Sequence, residues 1–538
     1  MLNNTVSDSY YRWSLRIILW LLIAIALLTF RDYGVTWDEE LQSQYGLAVV
    51  DYYMSFFKDH RFLDIFNLYL YGGTFDGLAS VIDRILPFNI YETRHLCNAI
   101  CGIVGLWGVW RLGKLIGGSA VGILALVFTA LTPMYYGHMF NNPKDIPFAA
   151  GLIWSLYGMG RCFTVRPAPS LRNLVRLGII YGLTLGVRIG GIMFLFFWCV
   201  PWVLNVIRTW RKDYTDDACK KAFKLGVSSA FKIVLPVCII SYAVMLVCWP
   251  WSQLNPIANP LRALSEFSNF PQDVEVLLNG TTYRSTQLPW TYVPNYFAVQ
   301  LPEFLLLLLG VTVALAPRLW RSMPWPRQQI AIMLVLSVVV PTSYAIIRHP
   351  ALYDAVRHFL FVVPILCIFA AMSCVYIYDR TVEYYDSYRQ LNRARWIAGT
   401  LLALVVAYQT YIMVALHPYQ YIYVNRLGGG VHGAFGQYEL DYWGSSFKEA
   451  AEKLQNYVNK EGGVPPGKIY KIAICGPWDS AMLYLPPDYE PVIANEPAEF
   501  FLATTRWMCP DMREGREIIN VSRMGTPLSV VKDLRDKK

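Results

Sequence analysis

The run WSLRIILWLLIAIALLTF, residues 13–30, decides what kind of chain this is. Its only charged side chain is Arg16, and crossing the hydrocarbon core of a bilayer takes roughly 20 apolar residues. The run therefore predicts a membrane-spanning helix. It is long for the apolar part of a secretory signal, and no small-residue cleavage site follows it, so we expect the helix to be retained.

The composition extends this prediction to the rest of the chain. Of the 538 residues, 55% are hydrophobic and 16% are charged, whereas soluble domains carry about 25% charged residues. Aromatic residues make up 15%, which suits side chains at membrane–water interfaces. The formal net charge of +9 is typical of basic cytoplasmic loops, and we expect no nucleic-acid partner.

The hydrophobic pattern predicts a polytopic α-helical membrane protein with about eleven transmembrane helices. The predicted spans are 13–30, 95–116, 119–137, 146–163, 174–188, 189–207, 231–250, 301–316, 329–347, 355–378 and 396–415. Lys and Arg cluster in alternate loops, which predicts a cytoplasmic N-terminus by the positive-inside rule. An odd number of spans then places four segments outside: loops 31–94, 138–145 and 251–300, and the tail 416–538.

The sequence thus predicts a transmembrane domain, 1–415, and a small extracytoplasmic α/β domain, 416–538. In the first outer loop, residues 62–88 mix aromatic and aliphatic side chains, which predicts helices lying on the membrane interface. The alternative is a loop folded over the outer ends of the spans.

Three segments of the tail carry a secondary-structure signal. Residues 444–460, GSSFKEAAEKLQNYVNK, predict a helix, and KIYKIAICG (468–476) and EFFLATTRW (499–507) predict strands. Cys475 and Cys509 could pair in an oxidising compartment, but we expect two separate buried thiols.

Three adjacent acids, Asp38, Glu39 and Glu40, follow the first span. Acids are favoured at the start of a helix, and this explains the cluster if it is taken alone. A second outer loop, YYGHMFNNPKDIPFAAG (135–151), adds His138, Asn141, Asn142, Lys144 and Asp145 at the membrane boundary. Helix capping explains one such residue but not five, so we predict a functional site near Asp38 and Asp145.

Cations are also predicted at the outer boundary, where positive-inside bias disfavours them. Lipid contact by a long side chain explains any single one of them. Together, near carboxylates, they predict a phosphate site, because guanidinium groups match phosphate oxygens. The predicted phosphate-binding residues are Lys144, Arg188, Arg284, Arg348, Arg357 and His358, and Trp37, His138, Asn142, Tyr292 and Tyr353 are predicted to position substrate.

Four motifs carry a resemblance to a known class of enzyme. They are TWDEE (36–40), NNPKDIPFAA (141–150), LPWTYVP (288–294) and RHFLFVVP (357–364). With these motifs the chain resembles the GT-C class of membrane glycosyltransferases, specifically the polyprenyl-phosphate-dependent branch. That branch includes the protein O-mannosyltransferases and the bacterial lipid A aminoarabinose transferases.

The resemblance implies an inverting transfer of a sugar from an undecaprenyl-phosphate-type donor at the outer face of the inner membrane. It implies that Asp38 is the base, with Glu39 as the next candidate and Asp145 as the second acid. A divalent ion, Mg²⁺ or Mn²⁺, held by Asp38 and Asp145 is possible, but the two acids could equally position the acceptor without metal. The acceptor could be a hydroxyl or phosphate of a lipid, a glycan or a protein.

Two other functions fit parts of the sequence. A transporter or flippase of a lipid-linked sugar would carry ionisable residues at mid-membrane in broken helices, and the Arg188-Ile-Gly-Gly break keeps this alternative open. A non-enzymatic assembly or receptor protein would leave Asp38, Asp145 and the outer arginines unexplained.

Overall fold

The chain is a multi-pass bundle of apolar helices followed by a small sheet. A computed structural model describes residues 8–165, 169–211, 216–268, 272–387 and 391–535. The helices are α1 Asp8–Thr29, α2 Glu39–Met54, α3 Thr74–Asp83, α4 Ile90–Gly117, α5 Ser119–Ala130, α6 Pro133–Asn141, α7 Asp145–Thr164, α8 Leu171–Leu185, α9 Met193–Trp210, α10 Asp216–Ser229, α11 Leu235–Cys248, α12 Pro250–Leu254, α13 Ala258–Ser268, α14 Tyr292–Gln300, α15 Glu303–Ser322, α16 Trp325–Arg348, α17 Val363–Ser387, α18 Leu391–Leu416, α19 Gly430–Ala434, α20 Phe447–Lys460 and α21 Trp478–Met482. The strands are β1 Glu275–Leu278, β2 Thr281–Arg284, β3 Tyr470–Cys475, β4 Tyr489–Ile493, β5 Phe500–Thr504, β6 Arg516–Arg523 and β7 Thr526–Asp533.

Every predicted span falls on a helix, but the predicted count of eleven transmembrane helices is not confirmed. Among the described residues, eight helices are long and apolar enough to cross a bilayer, or nine if the bent pair α5 and α6 is one span. The two remaining predicted spans are α7 and α8. Helix α8 has 15 residues, and at about 1.5 Å per residue it is shorter than the roughly 30 Å hydrocarbon core. Helix α7 has 20 residues, begins with Asp145 and carries Arg161 in its last turn, and it is not among the helices that are apolar enough to cross.

A bend of 68° between α5 and α6 sets the position of the second acidic loop. Pro133 is the first residue of α6, where its missing N–H is tolerated, and it disfavours a helical conformation at Thr132. All nine residues of α6 are buried. The bend therefore brings His138 and Asn142 into the protein interior, and α7 begins at Asp145 directly after them.

The first outer loop contains helices, as the sequence predicts. Helices α2 and α3 lie close together, since a Cβ on Gly46 would stand 2.4 Å from the carbonyl oxygen of Asp76. Between them, Tyr45 donates a hydrogen bond to the carbonyl of Tyr71 at 2.9 Å. The loop is thus tied together, while Leu78 on α3 remains 58% exposed.

The tail folds as a five-stranded mixed sheet with the order β4-β3-β5-β7-β6. Strand β3 is parallel to β4 and β5, and the pairs β5–β7 and β6–β7 are antiparallel. The predicted helix and both predicted strands correspond to α20, β3 and β5, whereas β4, β6 and β7 have no counterpart in the sequence prediction.

The expectation of two separate thiols in the tail is wrong. Cys475 and Cys509 form a disulfide. The reason lies in the register of the sheet, because Cys475 at the end of β3 pairs with Ala503 of β5, and Cys509 lies in the segment that follows β5.

Residues 438–447 form a connecting segment that follows α19 and ends at Phe447, the first residue of α20, and every one of them is buried. Asp441 stabilises this segment by accepting hydrogen bonds from the backbone N–H groups of Ser445 and Ser446, each at 3.1 Å, and from the Tyr421 hydroxyl. One apolar core runs continuously from the helices to the sheet and includes Phe30, Phe447 and Val531. The predicted boundary at residue 416 therefore crosses a shared core.

Candidate active site

Asp38 is the solvent-accessible acid of the site. It is the residue preceding α2, but its side chain makes no capping hydrogen bond. Its carboxylate is instead 3.2 Å from Nη1 of Arg357, and the side chain is 34% exposed. Burial disfavours the charged form of Asp38, yet the charges of Arg357 and Lys144 outweigh this effect and lower its pKa. Asp38 is thus an ionised, accessible carboxylate.

Glu39, the second candidate base, has a structural position. Its Oε2 accepts hydrogen bonds from the backbone N–H of Thr36 at 2.8 Å and from the Thr36 hydroxyl at 2.9 Å. Its Oε1 lies 2.9 Å from Nε2 of His95, and the side chain is only 1% exposed. The helix-start explanation therefore fits Glu39, which has no access to an incoming substrate, and does not fit Asp38.

Asp145 is the buried acid of the site. Its Oδ1 lies 2.6 Å from Nη2 of Arg188, and its Oδ2 accepts a hydrogen bond from the Asn142 amide at 2.9 Å. The same amide lies 3.1 Å from Nδ1 of His138, whose Nε2 is 3.0 Å from the Tyr442 hydroxyl. The predicted residues of this loop thus form one hydrogen-bonded chain that orients Asp145 and Arg188.

Arg357 is the cation that joins the acids. Its Nε lies 3.1 Å from Asp354, and its guanidinium group lies over the rings of Tyr353 and Trp443 at 4.8 and 5.2 Å. Asp354 in turn lies 3.1 Å from Arg506 of the tail. Arg357 is thus fixed between an interior carboxylate and Asp38, with aromatic faces around it.

Two further cations share one aromatic ring. Lys144 Nζ lies 4.3 Å from the centre of the Tyr71 ring, and the Arg188 guanidinium lies 5.9 Å from it. The ring centres of His358 and Tyr353 are 5.0 Å apart in an edge-to-face arrangement. The structure therefore brings together Asp38, Asp145, Lys144, Arg188, Arg357, His358 and Tyr353.

Four other predicted residues have different surroundings. Arg284 lies in the β1–β2 hairpin, is about half exposed, and contacts Asp273 and Glu275. Arg348 is exposed at the end of α16. Tyr292 is buried and donates a hydrogen bond to the carbonyl of Ala355 at 3.0 Å, so it supports the turn that leads to Arg357. Trp37 is 45% exposed, and its ring lies 6.2 Å from that of Trp507.

Sequence reasoning missed the groups behind Arg357, which are Asp354, Glu439, Tyr442, Trp443 and Arg506. Asp354 was visible between the two Arg-His pairs at 348–349 and 357–358. The run ELDYWGSS, residues 439–446, combines acids, aromatics and serines in a way that is unusual for a loop. Arg506 had no signal, because it lies in a predicted strand far along the chain.

The arrangement does not fit a divalent metal ion. Asp38 and Asp145, the two possible ligands, are each paired with an arginine. In the part of the chain that the structure describes, no group of three or more His, Cys, Asp or Glu side chains converges in a way that could hold a metal ion. We therefore derive no step through a metal.

An apolar cavity opens near the arginine. It has a volume of about 370 Å³ and lies among α14, α15, α16 and α17. Its lining includes Phe297, Ile346 and Val362. Val362 ends the short 3₁₀ helix that Arg357 begins, so one helical segment carries both a wall residue of the cavity and Arg357.

Comparison by sequence identifies one family. Residues 85–240 match the family of dolichyl-phosphate-mannose-protein mannosyltransferases. This segment contains Asp145 and Arg188 but not Asp38 or Arg357. No curated protein matches the chain by sequence.

Comparison by structure covers most of the chain. An Archaeoglobus fulgidus oligosaccharyltransferase, tethered to an acceptor peptide with the NVT sequon, matches at a TM-score of 0.51 and 11% identity over 92% of this chain. The apo form of that enzyme matches at 0.50 and 11% identity over 92%. ArnT from Cupriavidus metallidurans, bound to undecaprenyl phosphate, has a TM-score of 0.45 and 12% identity, with 98% of both chains covered.

The chain spans 65% and 66% of the two oligosaccharyltransferase chains. At such low identity the likeness concerns the fold. The predicted class of fold is confirmed: residues 85–240 match the mannosyltransferase family, and the chain shares its helical fold with the Archaeoglobus fulgidus oligosaccharyltransferase.

Proposed function

We propose that the protein is an inverting glycosyltransferase that moves a sugar from a polyprenyl-phosphate donor to a hydroxyl or phosphate of a cell-envelope acceptor. The observation that carries the proposal is the accessible Asp38 carboxylate, held 3.2 Å from the buried Arg357 and accompanied by the half-buried cations Lys144 and Arg188. A carboxylate next to phosphate-binding groups is what a sugar transfer from a lipid phosphate requires. The mannosyltransferase family matched by residues 85–240 supports the same chemistry.

The transfer proceeds in one displacement. Asp38 takes the proton of the acceptor hydroxyl, and the acceptor oxygen forms a bond to the anomeric carbon. The bond from that carbon to the phosphate oxygen breaks on the opposite face, and its electron pair stays on the phosphate. The products are the glycosylated acceptor with inverted configuration and the free polyprenyl phosphate. Asp38 can take this proton because its carboxylate is ionised at neutral pH and accessible.

Charge that develops on the leaving phosphate needs fixed cations. Arg357 and Arg188 present guanidinium groups, and Lys144 adds an ammonium group on the Tyr71 ring. Asp145 serves mainly to orient Arg188, since both of its oxygens have partners. Arg284 and Arg348, which lie in other surroundings, are weaker candidates for this role.

The donor's lipid chain needs an apolar surface close to the phosphate. The cavity of about 370 Å³ near Val362 offers one, and three of the helices around it, α15, α16 and α17, are long enough to cross the bilayer. We place this site at the outer face of the inner membrane, with a cytoplasmic N-terminus, because the basic loops alternate in that sense. The acceptor is a lipid, a glycan or a protein.

The test uses the purified protein with a panel of undecaprenyl- and dolichyl-phosphate sugars and a total extract of envelope acceptors. Release of polyprenyl phosphate and transfer of labelled sugar are measured together. We expect Asp38→Asn to reduce the transfer rate by about 100-fold or more while the protein still binds polyprenyl phosphate. Glu40→Gln is the matched control, because Glu40 lies two residues away and is bonded to Gln44 and Tyr91.

Transfer at the full rate in Asp38→Asn would overturn the assignment of the base.

The transport alternative is favoured by the 68° break between α5 and α6, since transporters bind their substrates at broken helices. It predicts movement of the lipid-linked sugar between the leaflets of a vesicle without release of polyprenyl phosphate.

A further inference from the structure

We infer that Arg506, in the C-terminal sheet region, is a positioning residue for donor binding, which acts through Asp354 on Arg357. This inference rests on the proposed function, in which Arg357 binds the donor phosphate.

The contact between the two arginines is a shared carboxylate. Asp354 Oδ2 lies 3.1 Å from Nε of Arg357, and Asp354 Oδ1 lies 3.1 Å from Nη2 of Arg506. Nε1 of Trp443 donates a further hydrogen bond to Asp354 at 3.1 Å. Asp354 therefore divides its charge between the two guanidinium groups.

Arg506 is anchored on its other side. Its Nη2 lies 2.8 Å from Glu439, its Nε donates to the same carboxylate at 2.8 Å, and its Nη1 donates to the carbonyl of Tyr442 at 2.9 Å. The side chains of Arg506, Asp354, Glu439 and Arg357 are all less than a tenth exposed. A buried charge is costly without a partner. We therefore expect that loss of Arg506 strengthens the interaction of Asp354 with its other cation, Arg357.

A stronger interaction between Asp354 and Arg357 would weaken donor binding. Without Arg506, the full charge of Asp354 acts on Arg357, and it competes with the donor phosphate for the guanidinium group. Glu439 also loses its cation, and burial already raises its pKa to about 7. A distant substitution thus weakens phosphate binding without removing any group that touches the donor.

The backbone near Asp354 gives a second reason for this dependence. Asp354 and Ala355 have φ angles of 57° and 58°, in the left-handed region that side chains disfavour. Such a conformation persists only where the surroundings hold it in place. Arg506 holds the Asp354 side chain, and the Tyr292 hydroxyl holds the carbonyl of Ala355, so the turn that leads to Arg357 has two supports.

The segment that carries Arg506 is itself fixed. It follows β5 directly, and Cys509, three residues on, is bonded to Cys475 at the end of β3. Arg506 therefore projects from the sheet on a short, covalently closed segment, as a positioning group should.

The experiment compares Arg506→Ala and Arg506→Lys with Arg523→Ala in the full-length protein. Arg523 is the matched control because it also lies in the sheet region, 2.7 Å from the Glu449 carboxylate and over the Tyr419 ring. The probe is undecaprenyl phosphate, whose dissociation constant is measured by titration in detergent. Donor KM, kcat and the unfolding temperature are recorded for each variant.

We expect Arg506→Ala to raise the dissociation constant of undecaprenyl phosphate and the donor KM by roughly tenfold. We expect Arg506→Lys to recover part of this loss, because lysine keeps the positive charge but lacks the planar set of N–H donors of the guanidinium group. Arg523→Ala should leave both constants unchanged even if it lowers the unfolding temperature as much.

Three results would overturn the inference. In the first, Arg506→Ala binds undecaprenyl phosphate as tightly as the unaltered protein does. In the second, Arg523→Ala weakens binding to the same extent, which would indicate a general loss of structure. In the third, Arg506→Ala does not fold and Arg506→Lys, which does, binds with unchanged affinity. Absence of binding by the unaltered protein would instead refute the proposed function, and the inference with it.

Discussion

Replacement of Arg357 by Gln gives the sharpest prediction, because it alters the base and the phosphate site at once. The substitution keeps most of the side-chain volume and removes the charge that lies 3.2 Å from Asp38. Asp38 then loses the strongest of the influences that lower its pKa. The pKa of Asp38 should therefore rise from below its ordinary value of 3.8.

The size of this rise follows from the geometry. Two unit charges about 4 Å apart interact by about 4 kcal/mol near a protein surface and by about 1 kcal/mol in water. The Asp38 side chain is 34% exposed, so we take a value near the lower limit. That value, about 1.4 kcal/mol, is the interaction that Arg357→Gln removes, and its loss raises the pKa of Asp38.

The assay is the dependence of kcat/KM on pH, whose acidic limb reports the base of the free enzyme. The limb should move to higher pH in Arg357→Gln, and donor KM should rise by roughly 10- to 100-fold with the loss of a charge-assisted contact. Arg380→Gln is the control, because Arg380 lies towards the other end of the helical segment Arg357–Tyr385 and is paired with Glu383. An acidic limb that coincides with that of the unaltered protein would refute the assignment of Asp38 as a base controlled by Arg357.

Two further predictions concern stability. Burial raises the pKa of Glu439 from 4.5 to about 7, so the folded protein keeps this proton at a pH where the unfolded chain has lost it. Stability should therefore fall as the pH rises from about 4.5 to 7, and the unfolding temperature of Glu439→Gln should fall less over that range; equal slopes would contradict the burial effect. Gly46→Ala should lower stability by about 1–3 kcal/mol, because its Cβ would meet the Asp76 carbonyl oxygen at 2.4 Å. Gly310→Ala, where the Cβ meets no atom within 4 Å, should not lower stability, and thermal unfolding of both variants checks this.

The sequence predicted the helices well because long apolar runs leave few alternatives in a membrane. It did not predict the number of spans, since α7 and α8 are helical but are not among the helices long and apolar enough to cross. Whether a helix within such a bundle reaches both faces depends on its neighbours, which periodicity does not report.

Some residues of the site could be recognised from the sequence, and others could not. Asp38, Asp145, Arg188 and Arg357 could be found because a charged group at the membrane boundary is costly and needs a reason. Glu39 could not be separated from Asp38, because only the contact with His95 shows which of two adjacent acids faces inward. Arg506 could not be found, since its partner Asp354 lies 152 residues away in sequence and no local pattern links them.

The buried segment 438–447 bears on the order in which the parts of the site are synthesised and assembled. Its Trp443 carbonyl accepts a hydrogen bond from the backbone of Trp37, beside Asp38, and its Tyr442 contacts both His138 and Arg506. During synthesis, the first-loop acid and the membrane arginines emerge long before this segment and the sheet. A nascent chain therefore holds Arg357 and Asp354 before it holds Trp443 and Arg506, which contact them. We expect the surroundings of Arg357 to be complete only after residue 506 has been synthesised and has packed against Asp354.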